Sequence, residues 1–193
     1  MTVWWVGCVY THTFFLPKLR GCVQALQSII HASRVTDLIS MSVVEKLRSD
    51  FIDLLEQFLA ALSETFPECA GVRRIKLELA MGVTHALTSD MRVKNENEIL
   101  TRFHGALEDW FDVISKRDER FFLECTSPVL ADVNLPGKWQ DESTTDDIRD
   151  CIWEYTINLA EILRLWGVYS KMDPGVVDAM QGVAAGLITP DGG

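Results

Sequence analysis

Between Ser42 and Pro67 the apolar residues recur with the period of an α-helix: Val44, Leu47, Phe51, Leu54, Leu55, Phe58 and Leu62 fall on one stripe. Its start is marked by Ser42-Val43-Val44-Glu45, which has the form of a capping box. The serine hydroxyl accepts from the backbone N–H three residues on, and the glutamate reaches back to the serine N–H. Pro67 has no N–H and disfavours a helical residue before it, so it ends the run. A helix with one apolar stripe must bury that stripe against other elements, and the rest of the chain offers only helices for the purpose.

Residues 71–87 carry Val72, Ile75, Leu79, Val83 and Ala86 at helical spacing, and residues 95–115 carry Phe103, Leu107, Trp110, Phe111 and Ile114. Trp110 sits mid-helix on the broadest of these apolar faces and is expected in the core. A short turn of helix is expected at 118–124, before Pro128. Residues 126–145 then read as one long irregular connection; loops of that length are more often functional or mobile than short turns are.

Thr145 is placed to cap a long helix that has Asp146 and Asp147 in its first turn, where the helix dipole favours acid. Ile148, Ile152, Tyr155, Leu159, Ile162 and Trp166 repeat at intervals of four and three, a coiled-coil-like seam. Ile157, Leu163 and Leu165 fall off it, so this helix is apolar on more than one side. It is either central in its own bundle or shared with a partner, and Ile157 and Leu165 are the candidate interaction residues. Asp173-Pro174 starts a last helix with the preferred first residues, followed by Val177, Met180, Ala184 and Leu187. The expected fold is all-α: a single-domain bundle of about five amphipathic helices over residues 41–188, with a frayed tail at 189–193.

The charge divides the chain near the same boundary. The net charge is -10 over 193 residues, yet residues 1–40 hold Lys18, Arg20 and Arg34 against Asp37, a net of +2. The capping box, the charge break and the first regular stripe all begin at Met41. Met41 is therefore the expected initiator and residues 1–40 an expected extension. The alternative is an additional N-terminal helix through Leu19, Val23, Leu26 and Ile30. An acidic chain without clustered Lys and Arg argues against a nucleic-acid backbone or an anionic membrane surface as the main partner. No apolar run approaches the roughly 18–20 residues a membrane span requires. Five cysteines, an odd number with no Cys-x-x-Cys pair, read as reduced core thiols in a cytoplasmic setting.

Little in the sequence carries chemistry. His104 and Glu108 stand four apart on one helix face, with Asp112 one turn further, and these three are the candidate metal ligands. No Glu-x-x-His accompanies them, so the di-iron carboxylate pattern is missing. Cys125 has only acidic sequence neighbours, where a nucleophile needs a cationic pocket. Asp141 to Asp147 offers oxygen ligands for a hard cation but lacks the EF-hand order. Phosphate loops, nucleophile elbows and His-Glu-x-x-His sequences are absent. No cofactor and no catalytic residue is expected. The expected function is a non-catalytic interaction, with a protein partner or a second copy of the chain. The alternative is a metal-binding or hydrolytic helical enzyme using the acidic helix faces.

Four segments carry a resemblance. They are the capped helix ending Phe66-Pro67-Glu68; Phe103-His104 through Trp110-Phe111 to Arg117-Asp118-Glu119-Arg120-Phe121-Phe122-Leu123; Ile152-Trp153-Glu154-Tyr155; and Met172-Asp173-Pro174 through Met180-Gln181-Gly182-Val183-Ala184. In this order the chain resembles uncharacterised small all-helical proteins of large DNA viruses of algae and protists, over residues 41–187. The resemblance implies a viral origin and a virion-associated or host-directed role, in the virion or the host cytoplasm. It implies no reaction and no ligand residue.

Overall fold

The computed structural model describes residues 42–127, 130–173, 175–177, 179–180 and 182. The expectations for residues 1–41, the initiator and the optional first helix among them, lie outside the described residues, as do those for Pro174, Ala184 and Leu187 of the last helix and for the 189–193 tail. Among the described residues seven α-helices and no strands form an all-α, single-domain bundle: α1 (Val43–Thr65), α2 (Ala70–Leu79), α3 (Ser89–Leu107), α4 (Phe111–Ser115), α5 (Arg120–Glu124), α6 (Leu135–Trp139) and α7 (Asp146–Tyr169). The long helices α1 and α7 pack on each other; α2 and α3 close on α1, and α3 and α4 close on α7.

The start of α1 is as its sequence dictates. Ser42 Oγ accepts from the Glu45 N–H at 3.3 Å, and Glu45 Oε2 accepts from the Ser42 N–H at 3.0 Å. Phe66, directly before Pro67, ends the helix. Phe51, Ile52, Leu54, Leu55 and Leu59 are its buried residues. Ile52 and Leu59 widen the stripe, because α1 lies against α2, α3 and α7 at once.

Three boundaries differ from the sequence reading. The first is in the 71–87 helix, which is α-helical only to Leu79 and finishes as a π turn, Ala80–Thr84, where the side chain of Asn95 donates to the Gly82 carbonyl at 2.6 Å. Second, α3 begins at Ser89 rather than Asn95, because Thr88 caps it: its Oγ1 accepts from the Met91 N–H at 3.2 Å. The helix also stops earlier, at Leu107, and a 3-10 turn, Glu108–Trp110, separates it from α4. That turn moves Trp110 away from the core centre. It is half-buried, edge-on to Phe121 with ring centroids 6.0 Å apart, and packs against the core from its edge. Third, the 126–145 connection is not wholly irregular, since it contains a 3-10 turn (Ala131–Val133) and α6. Pro136 stands in the first turn of α6, where its missing N–H costs nothing. Gly71 on α2 lets this connection approach, because a Cβ there would overlap the Asp132 carbonyl.

Thr145 occupies the N-cap of α7, but its side chain makes no capping bond; its backbone carbonyl accepts from the Arg149 N–H at 2.9 Å. The buried residues of α7 are Trp153, Tyr155, Thr156, Leu159, Ala160, Leu163 and Gly167. The expected seam is thus only one margin of a broad buried face, with Ile148, Ile152, Ile162 and Trp166 half-buried along it. Leu163, off that seam, is 0% exposed. The helix is central, in contact with α1, α3 and α4.

Helix α4 ends in a Schellman arrangement, with the Arg117 N–H bonded to Ile114 O at 3.0 Å and the Asp118 N–H to Val113 O at 3.1 Å. Arg117 occupies the left-handed position at φ 52°, where glycine carries no steric cost. Its exposed contact with Asp150, at 3.4 Å, does little to offset that. Arg117→Gly should therefore stabilise the fold by about 0.5–1 kcal/mol, read as a higher midpoint in urea; a lowered midpoint contradicts this account of the turn.

Candidate interaction surface

His104 and Glu108 do meet: Nδ1 lies 3.5 Å from Oε2. His104 is not directed at an open site, however. Its ring packs edge-on to Phe111 at 5.6 Å and to Trp166 at 6.2 Å, and Gly167 leaves the space that its Nε2 edge fills. Asp112 is exposed beyond the 3-10 turn, which interrupts the helical register that would have aligned it with the other two. Among the described residues no three His, Cys, Asp or Glu side chains gather into a group able to hold a metal.

The remaining polar motifs are engaged in local structure. Asp141 Oδ1 accepts from the Ser143 N–H at 2.8 Å and from the Ser143 hydroxyl at 2.6 Å; these bonds hold its carboxyl below the usual carboxylate range. The 141–147 segment is in this way a turn leading into α7. Cys125 is buried, and burial pushes its thiol pKa up, which disfavours the thiolate a nucleophile needs.

One charged cluster was not anticipated from the sequence. Glu96 on α3 is 5% exposed and lies between two guanidinium groups, with Arg48 Nε on α1 3.0 Å from Oε2 and Arg92 Nε 2.7 Å from Oε1. Glu96 also raises the pKa of Arg92, chiefly through the hydrogen bond. Each carboxylate oxygen has a donor, so the cluster fastens α3 to α1.

Of the two candidate interaction residues on α7, Ile157 is half-buried against the core and Leu165 is 37% exposed, with Val168 exposed three positions on. Among the described residues the three most exposed large apolar side chains lie elsewhere. Leu77 on α2 is 60% exposed, Met81 in the π turn 64%, Leu87 in the following turn 87%, and Met91 in the first turn of α3 45%. The inner face of α2 is complete without Leu77, since Gly71, Val72, Ile75 and Leu79 bury it. Leu77 and Met81 are four positions apart on the outer side, a spacing that was legible in the sequence.

The charge around this corner differs from the rest of the chain. Residues 70–102 contain six basic side chains (Arg73, Arg74, Lys76, Arg92, Lys94, Arg102) and four acidic ones (Glu78, Asp90, Glu96, Glu98), a net of +2 in a chain of -10. Arg74 pairs with Asp132 at 3.2 Å and Arg102 with Glu78 at 2.9 Å. Arg73 donates to the Pro67 carbonyl at 2.7 Å, a neutral acceptor. Arg73 and Lys76 thus bring positive charge next to Leu77 on an exposed helix face.

No protein-family model matches the chain, and no curated protein or solved structure matches it. Among the described residues no helix is long and apolar enough to cross a membrane.

Proposed function

We propose that the chain is a non-catalytic interaction protein that engages an acidic protein partner through the outer face of α2 and the corner leading into α3. The observation that carries this reading is the run of exposed apolar side chains at Leu77, Met81, Leu87 and Met91 beside Arg73 and Lys76. Grouped apolar exposure on a monomer marks contact sites, whereas single exposed leucines do not. The positive rim selects a partner that presents carboxylates around an apolar centre, and it guides encounter more than it adds affinity. A virion-associated or host-directed setting, implied by the resemblance of the motifs, belongs to the same proposal.

The double substitution Leu77→Glu/Met81→Glu tests it. Both side chains are exposed, so the unfolding free energy should change by less than about 1 kcal/mol. Binding to the partner should fall at least roughly tenfold, because two apolar contacts become two charges of the partner's own sign. A folded double variant that keeps its partner would overturn the assignment of this surface.

A further inference from the structure

Among the described residues the core beneath the α6 connection is not filled. An apolar cavity of about 90 Å³ lies between α1, α2, α3, α5, α6 and α7, lined among others by Phe51, Phe103 and Leu159 and, from α6, by Leu135 and Lys138. A buried site of that size is several times what one water needs and somewhat below the roughly 150 Å³ of an engineered cavity that stays dry and takes up benzene or xenon. The polar groups on its wall are already bonded. The Thr156 hydroxyl donates to Ile152 O at 2.7 Å, and the Cys69 thiol to Val133 O at 3.6 Å. Water entering would find no pair of free partners.

The rim is different in kind. Among the described residues Lys138 contributes the one ammonium on the cavity wall, ion-paired with Glu68 and 5.0 Å from the centroid of the Phe66 ring. Glu68 is largely exposed, with 63% of its side chain accessible, whereas Lys138 is largely covered at 21%. A carboxylate brought by a ligand could take the place of Glu68 without leaving a charge unpaired. Helix α6 is itself held in position: Thr144 Oγ1 donates to Lys138 O at 2.8 Å, and Arg149 Nη2 to Trp139 O at 3.2 Å.

We infer that this cavity is a binding site for a small carboxylic acid with a short apolar body, its alkyl chain or ring inside and its carboxylate on Lys138. The inference is independent of the proposed protein contact, since none of Leu77, Met81, Leu87 and Met91 lines the cavity.

The test uses hexanoate and its neutral counterpart 1-hexanol, titrated into the full-length protein and followed by methyl NMR. Saturable hexanoate binding that shifts the Leu135 and Leu159 methyls is expected. In Lys138→Met, hexanoate should weaken by about tenfold, the loss of one charge-assisted hydrogen bond, while 1-hexanol binding stays unchanged. Lys138 stands at the rim, so this variant should fold; its methyl spectrum checks that directly. Equal hexanoate affinity in Lys138→Met would overturn the headgroup assignment. Absence of saturable binding by both probes, or shifts confined to Leu77 and Leu87 on the outer surface, would overturn the site itself.

Discussion

Phe122→Ala should lower the unfolding free energy by about 3–5 kcal/mol, among the largest effects of any single substitution in this fold. Phe122 is 2% exposed, and its ring is the centre of the aromatic cluster. It stacks on Trp139 with centroids 4.1 Å apart, meets Trp153 edge-on at 4.5 Å and touches Phe121 at 5.0 Å. The first two contacts join α5 to α6 and α7, and the guanidinium of Arg149 covers the Trp139 ring from 5.7 Å. Removing the ring opens a void that rigid indoles cannot close, so both the transfer and the cavity terms apply. For a domain of this size the melting temperature should fall by roughly 10 °C. Urea denaturation with an unchanged slope would measure the cost. A cost under about 1 kcal/mol would mean that the cluster relaxes and does not hold α6 in place.

Glu96→Gln should cost about 2–4 kcal/mol, because it leaves the largely buried Arg48 facing an amide in place of a carboxylate. Arg92 has 57% of its side chain exposed, so its share of the loss is screened to under about 1 kcal/mol. The pair can be separated from the charge penalty. Arg48→Met combined with Glu96→Leu removes both charges and should recover much of the loss, since an apolar pair of similar volume needs no desolvation. A double-mutant cycle on Arg48 and Glu96 measures the coupling. Coupling below about 0.5 kcal/mol would place the two groups in solvent, contrary to their burial.

How far the sequence disclosed these features depended on how local their causes are. The cap and stop of α1 are decided within a few residues, and Ser42, Glu45 and Pro67 announced both ends. The inner faces of α2 and α3 follow from period alone. The break after Leu107 has only Gly105, two residues earlier, to mark it, and the sequence reading extends one helix through the 3-10 turn to Trp110. Pro136 and Gly137 read as loop residues, although proline fits a first turn and Gly137 provides room for the Asn134 side chain. The broad buried face of α7 exceeded its seam because three neighbouring helices surround it, which is a tertiary fact.

The sites divide along the same line. The i,i+4 pair Arg92 and Glu96 looks like a solvated helix face until Arg48, from α1, covers it. The His104, Glu108 and Asp112 spacing assumed an unbroken helix. Leu77 and Met81 were visible as apolar residues opposite a complete inner face; their exposure depends on no other described helix packing over them. The cavity has no sequence signature, being the space that remains when α6 settles over five helices.

The proposed contact is tested most directly by photo-crosslinking in cells that express the chain. A benzophenone side chain is placed in turn at Met81, Leu87, Leu165 and Asp150, all exposed positions. The account predicts adducts to one acidic protein from positions 81 and 87, lost on Leu77→Glu and reduced by added salt, with little from 165 and 150. Adducts of equal yield from all four positions, adducts from 165 alone, or adducts only to lipid or to a second copy of the chain would contradict it.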